Sequence, residues 1–376
     1  MPTTTLRHPL LPSHYSLWFD PPDEAGDEVL HIVSERRAVR LKGRAFREFA
    51  KEVVPLLDGR HTLEDIQTRT RHVFRPEDLA ECLEYLHAQG LLVDGLPAAG
   101  TTAADRLQPQ RNFFHELAPG IDLQPRLQQA TVAVIGLAGP GGATALMLGA
   151  AGVGAVRCVD PQPVSAADTY LSPFLEPDAI GAPRAGILAG ILRGTAPDVR
   201  ATAIDEPLLS EEDVRRSIDG VDFVVCCLDA GQSNLIYKLN RVCLETNTRW
   251  LTCSLAGGEI VIGPGIHPGR TACYMCYRMR WVACAGNPEQ AFAYERYLDR
   301  RKQDDSGRRE NVVFSASIAA GFLGTEVLKE LTGVAEPSLA GRLLTVTLTD
   351  MSIERHVVLR KPWCPACFPG KSGDAR

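Results

Sequence analysis

A strand, a glycine-rich turn, a helix and a second strand follow one another in the segment VAVIGLAGPGGATALMLGAAGVGAVRCVD, residues 132–160. The two strand-like runs are almost continuously apolar, which indicates strands buried on both faces of a sheet. Parallel strands need a long crossover connection, and a helix is the usual one. The segment therefore predicts an α/β fold class with a Rossmann-like parallel sheet.

The alternation of strands and helices continues beyond this segment. Further elements are predicted as a helix over 183–193, a strand over 222–228, a helix over 232–246 and a strand over 249–253. After residue 254 the pattern changes to hairpin-like strands and an apolar helix over 314–331. Between them, the polar stretch 287–311 is expected to form a mobile loop or an exposed helix. Antiparallel strands are therefore expected to extend the parallel sheet.

A smaller unit precedes the α/β region. The β-rich runs 29–34 and 37–42 flank a two-residue turn, which predicts a hairpin, and three short helices follow it. This order of elements is typical of a winged-helix-like domain. The predicted organisation is a winged-helix-like domain over 14–96, a breaker-rich linker over 97–105 and an α/β domain over 106–372.

The small unit has three interpretations. DNA binding is disfavoured, because residues 1–96 carry twelve Lys or Arg and sixteen Asp or Glu, too few cations for a phosphate backbone. A hairpin edge beside an amphipathic helix can instead pair with an extended peptide as an added strand. We expect Val39, Arg40, Leu41 and Tyr85 to contact such a peptide. A purely structural appendage is the remaining alternative.

Charge and hydropathy exclude other classes of protein. The net charge is −6 without a basic cluster, so no nucleic-acid partner is expected. Apolar runs are too short for a membrane span, which needs about 20 residues. The amino terminus lacks a basic segment followed by an apolar one, so a cytoplasmic location is expected.

The glycine-rich turn has the features of a nucleotide site. Gly136, Gly139 and Gly141 open the helix where backbone N–H groups and the helix dipole bind phosphate. Asp160 ends the next strand about 20 residues later, where an acid accepts hydrogen bonds from a ribose. Ala138 replaces the glycine that lets the backbone approach a phosphate closely. The pattern alone is a weak indication of nucleotide binding.

Two CxxC pairs give a more specific indication. Four thiolates suit a closed, structural zinc ion, because no position is left for a reacting water. The alternative is two unrelated buried or redox-active pairs. The predicted zinc ligands are Cys273, Cys276, Cys364 and Cys367.

The order of these motifs resembles a known superfamily. GLAGPGG, GVGAVRCVD, VVCCLDAGQSNLIYKLNRVC and the two CxxC pairs look like the ubiquitin-activating-enzyme-like superfamily of ThiF and the molybdopterin-synthase adenylyltransferase. The resemblance covers residues 106–368. It implies that the chain binds ATP and magnesium, usually forms a homodimer and adenylates the carboxyl terminus of a small protein or peptide.

With the small unit included, the whole chain is similar to two sub-families of peptide natural-product biosynthesis. One is the microcin C7 adenylating enzyme, in which a peptide clamp sits on an active adenylation domain. The other is the leader-peptide-binding partner of azole- and azoline-forming cyclodehydratases, where a similar PqqD-like clamp sits on a degenerate ThiF-like scaffold. In that second group a separate YcaO protein carries the ATP chemistry. The resemblance predicts recognition and delivery of a leader peptide, with ATP-dependent adenylation as the alternative.

The resemblance also assigns roles to single residues. Asp229 matches the magnesium-binding catalytic aspartate, and Arg184 matches the basic residue that meets the phosphates. Arg111 resembles the arginine that reaches across from the other protomer, and Asp160 matches the ribose-binding acid. The alternatives are strand caps for the two aspartates and a surface or dimer-interface position for Arg111.

Three positions depart from the family pattern around one phosphate. Leu171 stands where the family has a phosphate-contacting arginine, and Gln162 replaces a second acid after Asp160. Ala138 is the third change. Loss of one charge-assisted contact commonly costs about 100-fold in rate or more. We therefore expect a site that can hold a nucleotide weakly but is poorly equipped to adenylate.

Cys284 is a further candidate, because some relatives form a thioester on a cysteine. A nucleophilic thiolate needs a nearby cation or base to lower its pKa. The sequence identifies no such group, so a partly buried thiol is the expected state of Cys284.

Overall fold

The computed structural model describes residues 6–22, 24, 26–95, 106–172, 174–228, 232–301 and 311–368. The chain divides into two compact units, Met1–Pro125 and Arg126–Arg376. The linker expected over 97–105 lies outside the described residues. Within the part that is described, no helix is both long and apolar enough to cross a membrane.

The first unit is built on a three-stranded antiparallel sheet in the order β2–β3–β4, with β1 and β5 paired separately. The predicted hairpin is confirmed, since Val33 pairs with Ala38 and the Ser34 N–H donates to the Arg37 carbonyl at 2.8 Å. The strands are β1 (Pro9–Leu10), β2 (Ser16–Asp20), β3 (Glu28–Val33), β4 (Ala38–Gly43) and β5 (Val93–Asp94).

Helices cover one face of this sheet. Leu79, Leu83 and Leu86 of the helix Pro76–Ala88 are buried with Leu30 and Ile32 of β3 in one core. The helices are α1 (Phe46–Glu48), a π-helical turn (Phe49–Val53), a 3-10 turn (Val54–Leu56), α2 (Leu63–Thr70), α3 (Pro76–Ala88) and α4 (Gln108–Leu117).

The helical segment before α2 is irregular rather than one regular α-helix. Pro55 lies inside it and has no N–H for the carbonyl one turn earlier, so the α-helical hydrogen bonds stop. By contrast, α2 begins at a regular cap. The Thr62 side chain accepts from the Asp65 N–H at 3.0 Å, and the Asp65 carboxylate accepts from the Thr62 N–H at 3.0 Å.

A cluster of ring side chains lies inside the first unit. His14, Tyr15 and His115 have ring centroids between 4.3 and 5.8 Å apart. His14 Nε2 lies 3.0 Å from Glu116 Oε1. Burial, followed by the charges of His14 and Arg37, lowers the pKa of His115 to about 4, although a backbone hydrogen bond and Glu116 oppose the shift.

We expect the stability of the protein to fall as the pH decreases from about 6.5 towards 4. The unfolded chain takes up a proton on His115 in this range, whereas the folded chain does not. The effect is absent above about pH 6.5 and has a slope of at most about 1.4 kcal/mol per pH unit. Urea unfolding at fixed pH values measures it.

His115→Gln is expected to flatten this slope. His72→Gln is the matched control, because His72 is an exposed histidine of the same unit. A slope that His115→Gln leaves unchanged would contradict the assignment.

The second unit is built on an eight-stranded mixed sheet in the order β13–β12–β11–β10–β9–β6–β7–β8. Strands β10, β9, β6, β7 and β8 are parallel, and β11, β12 and β13 are antiparallel. The predicted fold class is confirmed. The strands are β6 (Thr131–Ile135), β7 (Ala155–Val159), β8 (Arg200–Ile204), β9 (Phe223–Cys226), β10 (Trp250–Ala256), β11 (Glu259–Ile266), β12 (Arg342–Thr347) and β13 (Ser352–Val357).

Helices connect these strands. The helix after β6 packs against both the helix that opens at Arg184 and the long helix that opens at Val313, which explains why it lacks a polar face. The helices are α5 (Gln124–Gln129), α6 (Pro140–Ala150), α7 (Ala166–Leu171), a 3-10 turn (Pro177–Ala179), α8 (Arg184–Thr195), α9 (Glu211–Ile218), α10 (Ser233–Thr246), α11 (Tyr274–Cys284), α12 (Pro288–Arg301) and α13 (Val313–Thr332).

The strand order defines where a ligand can bind. The chain runs from β6 to β7 and β8, then returns to β9 on the other side of β6. Open α/β sheets bind ligands at such a switch point, outside the carboxyl ends of the strands. The loop after β6 lies at this point.

The polar stretch 287–311 contains the helix α12. Arg278 of α11 donates a hydrogen bond to Glu295 of α12 and another to the Tyr237 hydroxyl of α10. Residues 302–310 lie outside the described residues. The exposed-helix alternative is therefore confirmed for the first part of this stretch.

Candidate functional site

The glycine loop between β6 and α6 has the geometry that the sequence predicts. Gly136 has a φ of 80°, and a Cβ at this position would lie 2.5 Å from the Cys227 carbonyl oxygen. A Cβ at Gly141 would lie 1.8 Å from the Gly136 carbonyl oxygen. Gly139, with a φ of 47°, caps α6. Only glycine fits these close approaches, which bring the first turn of α6 to the switch point.

Asp160 follows β7 and is bound to the glycine loop. Its Oδ2 accepts a hydrogen bond from the Leu137 N–H at 2.7 Å, and its Oδ1 accepts from the Gln162 N–H at 2.8 Å. Its side chain is only 3% exposed. Both carboxylate oxygens of Asp160, the residue predicted to bind a ribose, therefore already accept hydrogen bonds inside the protein.

Arg184 forms a buried ion triad with two aspartates. Its Nη1 donates to Asp160 Oδ2 at 2.7 Å, while Nη2 and Nε donate to Asp168 Oδ2 at 2.7 and 3.2 Å. Burial acts to lower the pKa of Arg184, but the two carboxylates outweigh it, so the pKa lies above its ordinary value. The predicted phosphate-binding arginine is therefore committed to internal partners.

Leu171 covers the glycine loop with apolar atoms. A Cβ added at Gly139 would lie 3.5 Å from Leu171 Cδ1 and 3.6 Å from the Ala316 Cβ. Leu171 and Ala138 are both buried. The position at which the family pattern has an arginine thus contributes a hydrocarbon surface to the loop.

The sequence reasoning missed the role of Asp168. This carboxylate accepts hydrogen bonds from the Ser165 N–H at 2.7 Å and the Ser165 hydroxyl at 2.8 Å, forming a capping box at the start of α7. The spacing of Ser165 and Asp168 is a recognisable helix-start pattern. The pattern predicts the cap, although it does not predict the ion pair with Arg184.

Two further candidates for catalysis are Arg111 and Asp229. Arg111 lies on α4 in the first unit, where its guanidinium pairs with Asp122. Asp229 lies outside the described residues. The structure therefore brings together the glycines, Asp160 and Arg184, and these residues lie at the crevice edge of the sheet.

Four cysteine sulfurs converge near the carboxyl end of the chain. All four sulfurs lie within 4.8 Å of one another, and three of their separations are 3.9, 3.7 and 3.5 Å. A tetrahedron of zinc–sulfur bonds of about 2.3 Å places its sulfurs about 3.8 Å apart. The cluster can hold one metal ion, and its ligands are Cys273, Cys276, Cys364 and Cys367.

Backbone contacts hold this cysteine cluster together. The Lys361 N–H points to Cys276 Sγ at 3.3 Å. Arg280 donates from Nε to the Leu359 carbonyl at 2.9 Å, and Arg360 donates to the Thr271 carbonyl at 3.0 Å. Such outer contacts orient metal ligands. The segment before the last CxxC is thereby fixed to the start of α11.

The remaining thiol of interest, Cys284, lies at the last residue of α11. It is exposed rather than partly buried, because the end of α11 packs little of its surface. The expected burial of this thiol was therefore wrong.

Three of the four predicted peptide-binding residues lie on β4, an edge strand of the first sheet, and the fourth lies on α3. β4 is the last strand in the order β2–β3–β4. Val39 and Leu41 are partly buried against the core, and Arg40 is exposed. Tyr85 on α3 is 50% exposed. Among the described residues, no strand pairs with the outer side of β4, so this edge offers main-chain groups beside apolar side chains.

The mixed sheet and its glycine loop define an α/β protein of the nucleotide-binding, adenylation type. The chain belongs to the ThiF family, whose model matches residues 108–366. It is 26% identical over 254 residues to the sulfur carrier protein ThiS adenylyltransferase of Escherichia coli, covering 66% of this chain and 89% of that protein. Protein HesA of Leptolyngbya boryana is 26% identical over 67% of this chain and 82% of its own length.

A solved structure matches almost the full length. The Escherichia coli microcin C7 biosynthetic enzyme MccB, in complex with N-formylated MccA, aligns with a TM-score of 0.63 at 14% identity. The alignment covers 96% of this chain and 99% of MccB. At this level of identity the match shows a shared fold, which includes the amino-terminal unit.

Proposed function

We propose that this protein recognises the leader segment of a ribosomally made precursor peptide and delivers the peptide to a YcaO-type modifying enzyme. Its ThiF-like unit serves as a scaffold that does not adenylate. The observation that carries this proposal is the buried triad of Arg184 with Asp160 and Asp168. Asp160 and Arg184, which match the residues that bind the nucleotide in the family, bind one another instead of a nucleotide.

The triad opposes adenylation on electrostatic grounds. Transfer of a carboxylate to ATP needs cations that face the developing negative charge on the phosphate. Withdrawing Arg184 from a buried pair leaves uncompensated charges, which typically costs about 3–5 kcal/mol. Leu171 adds no cation to replace it.

The amino-terminal unit supports the peptide-binding half of the proposal. Its strand β4 ends a sheet, and an extended peptide can add to such an edge through main-chain hydrogen bonds. MccB, which shares the fold over nearly its full length, is seen in complex with N-formylated MccA. We assign the peptide site to Val39, Arg40, Leu41 and Tyr85.

Tyr85→Ala is expected to weaken leader binding about tenfold or more, because exposed aromatic side chains are typical anchors of an interface. Fluorescence polarisation with the labelled leader of the neighbouring precursor gene measures this. Tyr170→Ala is the control, since Tyr170 is equally exposed but lies on α7 of the other unit. Equal loss in both variants, or none in Tyr85→Ala, contradicts the assignment.

An active adenylating enzyme acting on a peptide carboxyl terminus is the second candidate. It is favoured by the ThiF family membership and by the retained glycines Gly136, Gly139 and Gly141 of the turn. Incubation with precursor peptide and ATP, with detection of AMP and pyrophosphate, distinguishes the scaffold from the enzyme. We expect no peptide-dependent release of AMP or pyrophosphate. Robust turnover that Asp229→Asn abolishes would establish the enzyme and eliminate the scaffold.

Further properties belong to the same proposal. The domain bounds are 14–96, 97–105 and 106–372. The protein forms a homodimer, and its cysteine cluster holds a structural zinc ion, because four thiolates leave no open coordination position. None of its eleven cysteines, all of which are described, forms a disulfide, which fits a reducing, cytoplasmic location. ATP and magnesium, if they bind, bind weakly, with Arg111 and Asp229 acting only in an active enzyme.

A further inference from the structure

The open edge strand of the first sheet carries an alternating pattern of charge. Val39 and Leu41 of β4 pack against the core, whereas Arg40 and Lys42 are exposed on the opposite, outer face. An added strand follows the same period of two in either direction. Its side chains would therefore lie alternately beside the two cations and beside the apolar residues.

The apolar side of the edge continues onto α3. Arg37, in the turn before β4, donates to the Gly90 carbonyl at 2.9 Å and to the Gln89 carbonyl at 2.6 Å. These bonds fix the start of β4 beside the end of α3. Tyr85 lies one turn earlier on α3 and is half exposed. An added strand would thus meet apolar surface at every second residue.

The outer face has a row of three side chains that ends at the open edge. Trp18, His31 and Arg40 are directly paired across β2, β3 and β4. The Trp18 and His31 rings stack with centroids 5.1 Å apart, and His31 Nε2 lies 3.0 Å from Asp20 Oδ2. His31 is therefore engaged by β2. Arg40 makes no ion pair with another residue that the structure describes, and it faces the edge where a peptide would add.

The second cation of this face is partly compensated. Lys42 Nζ lies 3.5 Å from Asp27 Oδ2, and Arg44 binds the same carboxylate at 3.1 Å. Lys42 and Arg44 are thus both engaged at this end of the edge. Arg40 therefore carries the charge of this outer face on which a selection for acidic side chains depends.

Resting on the proposed peptide-binding role, we infer that β4 selects an extended peptide in which an acidic residue beside Arg40 is flanked by apolar residues. The apolar side chains lie against Val39, Leu41 and Tyr85. Each opposite-charge pair across neighbouring strands is worth up to about fivefold in affinity, and like charges oppose binding by a similar factor.

Two labelled synthetic peptides test this inference with the full chain. One alternates valine with glutamate, and the other alternates valine with lysine. By fluorescence polarisation, the glutamate peptide is expected to bind at least about tenfold more tightly, and high salt should reduce the difference. Arg40→Glu should remove or reverse the preference, and Arg40→Gln should reduce it. Arg71→Glu, an equal charge change at an exposed position after α2, should leave it unchanged.

The outcomes separate this inference from the proposed function. Equal binding of both peptides, abolished by Tyr85→Ala, would overturn the charge selection while keeping peptide binding at the edge. Binding of the encoded leader but of neither synthetic peptide would also overturn the charge selection and leave the proposed function in place. Failure of the leader and of both synthetic peptides to bind would overturn the charge selection together with the proposed function. A preference that survives Arg40→Glu would place the selection elsewhere and reject our assignment.

Discussion

A Cys364→Ser variant is expected to lose its zinc and several kcal/mol of stability in the second unit. The serine hydroxyl is a poor zinc ligand, and structural zinc contributes about 10–16 kcal/mol in zinc-finger peptides, of which a larger fold needs only part. Cys364 is fully buried among the other three sulfurs. Elemental analysis of the purified protein, together with thermal unfolding, measures both effects.

Cys284→Ser is the matched control for this experiment. It removes a thiol that ends the same helix as the first ligand pair but is exposed and outside the cluster. We expect about one zinc per chain and unchanged stability in this variant. Absence of zinc from freshly purified wild-type protein would contradict the proposed zinc site of four cysteines.

Arg184→Met is expected to lower the free energy of unfolding by about 3–5 kcal/mol. The variant leaves Asp160 and Asp168 buried without the guanidinium that both carboxylates accept hydrogen bonds from. Urea unfolding near neutral pH measures the change. A nucleotide site that keeps its arginine free for phosphate would lose little stability on the same substitution.

Two further variants make this result specific. Arg193→Met lies on the same helix α8 but is exposed, so we expect a change within about 0.5 kcal/mol. Adding Asp168→Asn to Arg184→Met should recover part of the lost stability, because it removes one of the two orphaned charges. Equal stability of wild-type protein and Arg184→Met would reject the triad as a structural element.

The main features of the fold could be predicted from the sequence because they depend on local patterns. Continuous apolar runs predict β6 and β7, and the glycine turn fixes the connection between β6 and α6. The strand β8 was not predicted, since it is a short edge strand in which no residue is fully buried. The apolar periodicity of Phe46, Phe49, Val53 and Leu57 predicts one regular helix before α2, but Pro55, a local signal in the same segment, interrupts it.

The candidate site was predictable only in part. The CxxC pairs are local motifs, so their convergence could be expected from their chemistry. The triad depends on the paths of two loops, which bring Asp160 and Asp168 to Arg184 across 24 and 16 residues of sequence. No periodic pattern in the sequence predicts that these three side chains come into contact. The sequence indicates which groups are charged, whereas the structure shows that one arginine pairs with both aspartates.

The cysteine cluster sets a topological limit on how the chain comes apart. Its two ligand pairs stand 91 residues apart, so a bound ion closes a large ring that contains α11, α12, α13 and both of the last strands. With the ion bound, fraying from the carboxyl end would stop at Cys367, and the ring can open only as a whole while the ion stays in place. Closing a ring of this size disfavours the unfolded chain by about 4–5 kcal/mol in the chain-entropy estimate for cross-links.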